Sequence, residues 1–273
     1  MAEDRLDGTT LRGVPATALW TLRNRAVEAA RADSDYEDPM AVELYERIDY
    51  PYGDFGPASQ SHPLRAVTFD RAIRDYVGAH PGATVVALGE GLQTSFWRVG
   101  VPVAQWISVD LPEMIAVRER VFPAEERLRH VAVSALDRSW MDDVDPDAGV
   151  FISAEGLFMY LPPAEVYSLI RDCAARFPGG QLIFDSIPAW FSNRTMKGMT
   201  LARGSDYQAP PMPFHLSVAE AAELPIRIPR LRAVTDVDIA AGRGPWGSRA
   251  MKLLANAPVL KNARPSITLV DFE

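Results

Sequence analysis

A chain of 273 residues with 48% hydrophobic content can bury a substantial core unaided, and it fits one large domain or a domain with a lid. Its 28 basic and 36 acidic residues leave a formal charge of -8, spread along the chain rather than gathered into blocks, which argues against nucleic acid as a partner. Cys173 is the only cysteine, so an intrachain disulfide and a thiolate metal cluster are both excluded and a reducing compartment is the natural inference.

Met1 to Leu11 is polar and acidic and lacks the basic flank and apolar stretch of a signal peptide. No run of about 18 apolar residues occurs, so no membrane partner is expected and a cytoplasmic location is. Between Pro15 and Tyr50, residues Leu19, Leu22, Ala26, Ala29 and Ala30 recur at helical spacing, and Pro39 opens a second helix carrying Met40, Val42, Leu44 and Tyr45. Asp49 to Pro63, with Pro51, Gly53, Gly56, Pro57 and Pro63 among aromatics, reads as a loop that ends at Arg65 and a helix to about Ala79. Residues 1–64 thus read as a helical cap on a domain of residues 65–273.

From Pro81 the pattern becomes short apolar runs separated by helical segments, which predicts a doubly wound, mostly parallel α/β sheet. The expected strands are Thr84 to Leu88, Gln105 to Val109, Leu128 to Ala132, Ala148 to Ser153 and Gln181 to Ser186. Helices are expected near Thr94 to Arg98, Pro112 to Val121, Trp140 to Asp143 and Pro163 to Arg176. After Pro188 the residues Trp190, Phe191, Met196, Met199, Met212 and Phe214 alternate with Gly198, Gly204, Pro210, Pro211 and Pro213, which reads as a lid or apolar pocket wall over about 188–216. Ser217 caps a short helix, and Leu231 to Ile239 with Ser266 to Phe272 close the chain as a hairpin-like pair of strands.

The first strand runs directly into Gly89-Glu90-Gly91-Leu92, where glycine lets a ligand approach the backbone. Asp110 ends the second strand about 20 residues later, where a carboxylate can accept both ribose hydroxyl protons. Sites for NAD and for S-adenosylmethionine (SAM) share both features. Ser134-Ala135-Leu136-Asp137, after the third strand, offers a carboxylate and a backbone amide suited to adenine. Glu155, at the end of the fourth, can face the ammonium of a methionine moiety, which NAD lacks. Any one of these acids alone could equally cap a neighbouring helix. Together they lie on the edge where open α/β sheets bind ligands.

These stretches resemble the leucine carboxyl methyltransferase-like family, and within it a bacterial branch of polyketide O-methyltransferases. The resemblance lies in Arg65-Ala-Val-Thr-Phe-Asp70, Val85 to Thr94 with Trp97-Arg98, Val109-Asp-Leu-Pro-Glu113, Ser134-Ala-Leu-Asp137 with Trp140, Ala154-Glu-Gly-Leu-Phe-Met-Tyr-Leu161, and Arg176-Phe-Pro-Gly-Gly180 with Phe184-Asp185-Ser186. It implies a Rossmann-like class I methyltransferase fold with SAM as cofactor. It also implies roles: Arg65 for the SAM carboxylate, Gly89 and Gly91 for the methionine part, Asp110 with Leu111 for the ribose, Leu136 and Asp137 for adenine, and Glu155 for the amino group. The sequence departs from the usual Gly-x-Gly-Leu-Asp-Thr-Arg pattern, having Gln93 for the acid and Ser95 for the base, which leaves the brace of that loop undefined.

The implied reaction is methyl transfer to a hydroxyl or carboxylate of a small molecule, a polyketide-like or other secondary metabolite. A carboxylate acceptor needs no base, whereas a phenol does. Base candidates are His62, before Arg65, His215, in the methionine-rich stretch, and Tyr160, whose unperturbed phenol titrates near 10. His80 and His130 read as structural, and the scattered histidines suggest no metal site. A homodimer is compatible with the sequence. A noncatalytic SAM-binding protein and, behind it, an NAD-dependent oxidoreductase remain as alternatives, and protein carboxyl-terminus methylation ranks below a small-molecule acceptor.

Overall fold

The computed structural model describes residues 5–200 and 207–273. A short strand β1 (Leu6–Asp7) is followed by helices α1 (Thr17–Ala29) and α2 (Pro39–Arg47) and by β2 (Ile48–Asp49), which pairs with β1 in parallel. α1 buries Leu19, Leu22 and Ala26 at the expected spacing. α2 opens on Asp38, whose carboxylate accepts from the Ala41 amide, with Pro39 in the first turn where its missing N–H leaves no bond unmade. α3 (Ser61–Ala79) starts about one turn before the expected Arg65, with Pro63 in its first turn, where proline is tolerated.

Next come β3 (Thr84–Leu88), α4 (Ser95–Val99), β4 (Gln105–Asp110), α5 (Pro112–Val121), β5 (Leu128–Ala132), β6 (Val150–Ala154), α6 (Pro163–Arg176) and β7 (Gln181–Ser186). α7 (Ala189–Thr195), α8 (Val218–Ala222), α9 (Leu224–Arg227), β8 (Leu231–Asp236), α10 (Arg249–Ala255), α11 (Pro258–Lys261) and β9 (Ser266–Phe272) complete the chain. The main sheet has seven strands in the order β5-β4-β3-β6-β7-β9-β8. β5 to β7 are mutually parallel along that order, and β9 runs antiparallel between β7 and β8. This is the Rossmann-like class I architecture.

β3 and β6 are buried at every residue, as a parallel sheet covered on both faces requires. Alternate residues divide between two cores. Val86, Leu88, Ile107, Val109 and Ile152 pack with Leu169 and Ile170 of α6 and with Trp140. Val85, Ala87, Trp106 and Phe151 pack with Phe69, Ile73 and Tyr76 of α3. Each buried Val, Leu, Ile or Phe among them contributes about 1.5–3 kcal/mol by leaving water. A third cluster joins Leu19, Leu22 and Leu44 of the N-terminal helices to Leu92, Met114 and Phe122, so α1 and α2 pack on the glycine loop and α5.

Several expected boundaries move for local reasons. β6 begins at Val150 rather than Ala148 because Gly149 has φ +90, outside the strand region, and it ends at Ala154, directly before Glu155. The expected helix near Trp140 is a 3-10 turn, Arg138–Asp143. β8 stops at Asp236, and β8 and β9 are joined by residues 237–265 with two helices rather than by a hairpin turn. Within 188–216, Met212, Phe214 and Leu216 are buried, and Phe214 lies edge-on to Phe158 in the central core. That part of the expected lid is therefore core, while Trp190 and Met196 are exposed. Gly204, also assigned to the lid, lies outside the described residues. No described helix is long and apolar enough to cross a membrane.

Candidate active site

β3 is flanked by β4 on one side and β6 on the other, so the winding reverses there and a crevice opens beyond the carboxyl ends of these strands. A cleft of ≈ 220 Å³ occupies this position, bringing together Arg65, Gly89, Gly91, Asp110, Leu111, Glu155 and Tyr160 with Thr17, Ala18 and Thr21 of α1. A wider groove of ≈ 480 Å³ runs between α3 and β8, lined by Arg71, Asp75, Tyr76 and Asp236. It contains none of the strand-end groups, so the smaller cleft is the candidate site.

Gly89 and Gly91 have φ +59 and +55, a region that costs side-chain-bearing residues about 1–2 kcal/mol. The Gly91 amide donates to Asp110 Oδ2 at 2.7 Å, and the Leu111 amide donates to Asp110 Oδ1 at 2.8 Å. Each carboxylate oxygen keeps a lone pair for a diol. Burial pushes the Asp110 carboxyl above its ordinary range, against the pull of those two amides. Leu111 stands partly exposed at the cleft, an apolar surface beside a polar acceptor.

Arg65 is held between two acids. Its Nε donates to Glu155 Oε1 at 3.0 Å and its Nη1 to Asp185 Oδ2 at 2.8 Å. The Gly156 amide donates to Asp185 Oδ1 at 2.6 Å, and Gln93 Nε2 donates to Glu155 Oε1 at 2.8 Å. Burial pushes the Glu155 carboxyl up, with Arg65 as the main opposing influence. One guanidinium between two carboxylates leaves the cluster one charge negative, an environment suited to an ammonium group. Sequence reasoning missed Asp185 in this role, although it sits on the same strand-end edge as the other acids. Gln93, noted only as a departure, turns out to reach Glu155, while Ser95 Oγ accepts from Arg98 Nη2 at 3.0 Å. The wall supplied by α1 was not foreseen either.

Other expected residues fall at the margin or outside. Ser134 and Ala135 line the cleft, and Leu136 and Asp137 follow them. The Leu136 amide donates to Ser134 Oγ at 3.2 Å, and exposed Asp137 accepts from the Ser139 amide at 2.9 Å, capping the 3-10 turn. Tyr160 shares a hydrogen bond with Thr17, and burial pushes its phenol up to about 12. His62 is buried beside the ring of Trp20 and does not line the cleft. The Ser59 amide donates to Asn24 Oδ1, which turns Asn24 Nδ2 toward His62 Nδ1 at 2.7 Å. His62 Nδ1 is therefore an acceptor and its proton sits on Nε2, while burial holds the ring neutral. His215 lies between buried Phe214 and Leu216, near Glu220 and away from the cleft.

The model of the family described as leucine carboxyl methyltransferase matches residues 18–174. The tetracenomycin polyketide synthesis O-methyltransferase TcmP of Streptomyces glaucescens is 31% identical over 233 residues, covering 82% of this chain and 83% of that protein. The S-adenosyl-L-methionine-dependent methyltransferase dpfgK of Gibberella zeae is 29% identical over 200 residues, covering 65% of this chain and 67% of its own. Among solved structures, a candidate methyltransferase from Thermobifida fusca superposes with a TM-score of 0.56 at 13% identity, over 93% of this chain and 94% of that one, which supports the fold. The chain belongs to the leucine carboxyl methyltransferase family and is a methyltransferase with S-adenosylmethionine as its cofactor.

Proposed function

We propose that the cleft holds SAM and that the chain transfers its methyl group to an oxygen of a small molecule, with a polyketide-like or other secondary metabolite as acceptor. The observation that carries this reading is the triad Arg65, Glu155 and Asp185 beside the glycine turn. In this assignment Asp110 takes the ribose hydroxyls, Arg65 the methionine carboxylate and Glu155 the ammonium, with Gly89 and Gly91 admitting the chain between them. Leu136 and Asp137 read the adenine edge beyond Ser134 and Ala135. Residues 1–64 act as a cap over a methyltransferase domain of residues 65–273.

Methyl transfer from a sulfonium is an in-line displacement, so the protein chiefly aligns the nucleophile and excludes water. Among the described residues that line the cleft, Glu155 is tied to Arg65 and Gln93, Asp110 to two amides, Glu90 to Arg118, and the Tyr160 phenol holds its proton to about 12. This favours an acceptor that arrives already ionised, a carboxylate ahead of a neutral hydroxyl. The similarity to TcmP supports the polyketide class.

Calorimetric titration with SAM, and with NAD in parallel, on wild type, Asp110→Ala and Glu155→Ala tests the cleft. Both substitutions are expected to weaken SAM binding and NAD to bind no better than background. Methyl transfer is then scored on panels of aromatic carboxylic acids and phenols, with turnover expected on the acids. Binding without turnover on either panel would favour a noncatalytic SAM-binding protein.

A further inference from the structure

The carbonyls of Gly91, Leu92 and Gln93 are gripped by two buried guanidiniums, one from α5 and one from α1. Arg118 of α5 donates Nη1 to Gly91 O at 2.6 Å and to Gln93 O at 3.2 Å. Arg25 of α1 donates Nη2 to Leu92 O at 2.6 Å. Both side chains are 0% exposed. Each is anchored by an acid, Arg118 by Glu90 at 2.8 Å and Arg25 by Asp38 at 2.6 Å. Thr94 closes the second pair, its hydroxyl donating to Asp38 at 2.8 Å and accepting from Arg25 at 3.0 Å.

Stability alone is a poor reason for this arrangement. Arg25 lies close enough to Arg118 to disfavour its charge, and the Nε groups of both are buried without a hydrogen-bond partner. Buried ion pairs of this kind are often no more stabilising than apolar residues of the same volume. What Arg25 does fix is the loop. With Leu92 O held, the Gly91 amide points to Asp110 and the Gln93 side chain to Glu155. The same helix places Ala18 beneath Gly91 and Thr17 and Thr21 on the cleft wall.

We propose that Arg25 is a positioning residue for cofactor binding, through which the N-terminal helices set the geometry of the glycine loop. It acts through Leu92 and Thr94 without touching the cofactor, and the inference rests on the cleft being the cofactor site.

The test is calorimetric titration of S-adenosylhomocysteine (SAH) into wild type, Arg25→Lys and Arg25→Met, with the melting temperature of each. Lysine keeps the charge beside Asp38, but one ammonium cannot span Asp38 and the Leu92 carbonyl. Arg25→Lys is expected to melt close to wild type yet bind SAH at least about tenfold more weakly. Wild-type affinity in Arg25→Lys, or losses that merely track melting temperature across both variants, would overturn the proposal. Hydrogen exchange on the unmodified protein gives a check independent of variant folding. SAH should slow exchange in peptides covering residues 20–30 together with those covering 88–96, and unchanged exchange in α1 would refute the coupling. If Asp110→Ala and Glu155→Ala weaken SAH binding while Arg25→Lys does not, only the role of Arg25 fails. If none of the three does, the cleft assignment itself fails.

Discussion

Arg65 and Glu155 lie 90 positions apart in the chain and meet at 3.0 Å between Nε and Oε1. The first sits one turn into α3 and the second directly follows β6, so the contact exists only when the cap-side helix and the sheet are both in place. Truncating one partner of a buried charge pair costs about 2–5 kcal/mol. Glu155→Ala leaves Arg65 with Asp185 and removes the proposed partner of the ammonium. The Kd for SAH is expected to rise at least about thirtyfold by calorimetry. An unchanged Kd would take Glu155 out of the cofactor site.

Binding should also depend on pH with a definite sign. Burial raises the carboxyls of Glu155 and Asp110 above their ordinary values. A carboxyl whose folded pKa exceeds its unfolded one keeps its proton longer in the folded chain, so the ligand-free protein loses stability as pH rises through the folded value. SAH, in contrast, needs Glu155 ionised, and its affinity grows over that same rise. The increase in melting temperature at saturating SAH is therefore expected to be smaller at about pH 5 than at about pH 7.5. Glu155→Gln should shrink the difference to the part that Asp110 contributes. Equal increments in wild type at both pH values would show that Glu155 does not titrate in this window.

The strands that carry these acids were legible because apolar runs of β3, β4, β6 and β7 are broken at their carboxyl ends by glycine or by Asp110, Glu155 and Asp185. Asp185 falls within a stretch that resembles the family, but nothing in sequence ties it to Arg65, a pairing that spans 120 positions. Arg25 left a clearer trace. It lies between Leu22 and Ala26 on the buried stripe of α1, where an unpaired charge would be costly, so its position already called for a buried partner. Which partner depended on α1 docking against Leu92, a non-local packing that periodicity cannot supply. The buried fate of Met212 and Phe214 was obscured for a similar reason, since the prolines around them signal irregular backbone but say nothing of depth.

His62 provides a test between a structural and a chemical imidazole. Its Nδ1 already accepts from Asn24, and burial keeps it neutral beside Trp20. His62→Leu leaves the Asn24 donor unpaired, at a cost of about 1–3 kcal/mol, and should lower the melting temperature by several degrees. The pH profile of methyl transfer should keep its shape. Loss of a limb from that profile would instead identify His62 as the base.

The two glycines of the turn should not be equivalent. Both carry positive φ, so alanine at either incurs about 1–2 kcal/mol of backbone strain. Their surroundings differ. A Cβ on Gly89 meets Leu157 Cδ1 at 2.7 Å, the end of a side chain that can rotate away. A Cβ on Gly91 meets Ala18 Cβ at 3.2 Å, and Ala18 has no rotamer to change, so relief requires α1 itself to shift. Gly91→Ala is thus expected to weaken SAH binding more than Gly89→Ala does. Ala18→Gly in the Gly91→Ala background should recover the steric part of the loss and leave the strain, a coupling a double-mutant cycle reads directly. If the double variant binds no better than Gly91→Ala alone, α1 does not set the height of the glycine turn, and the loop is shaped by Arg118 of α5.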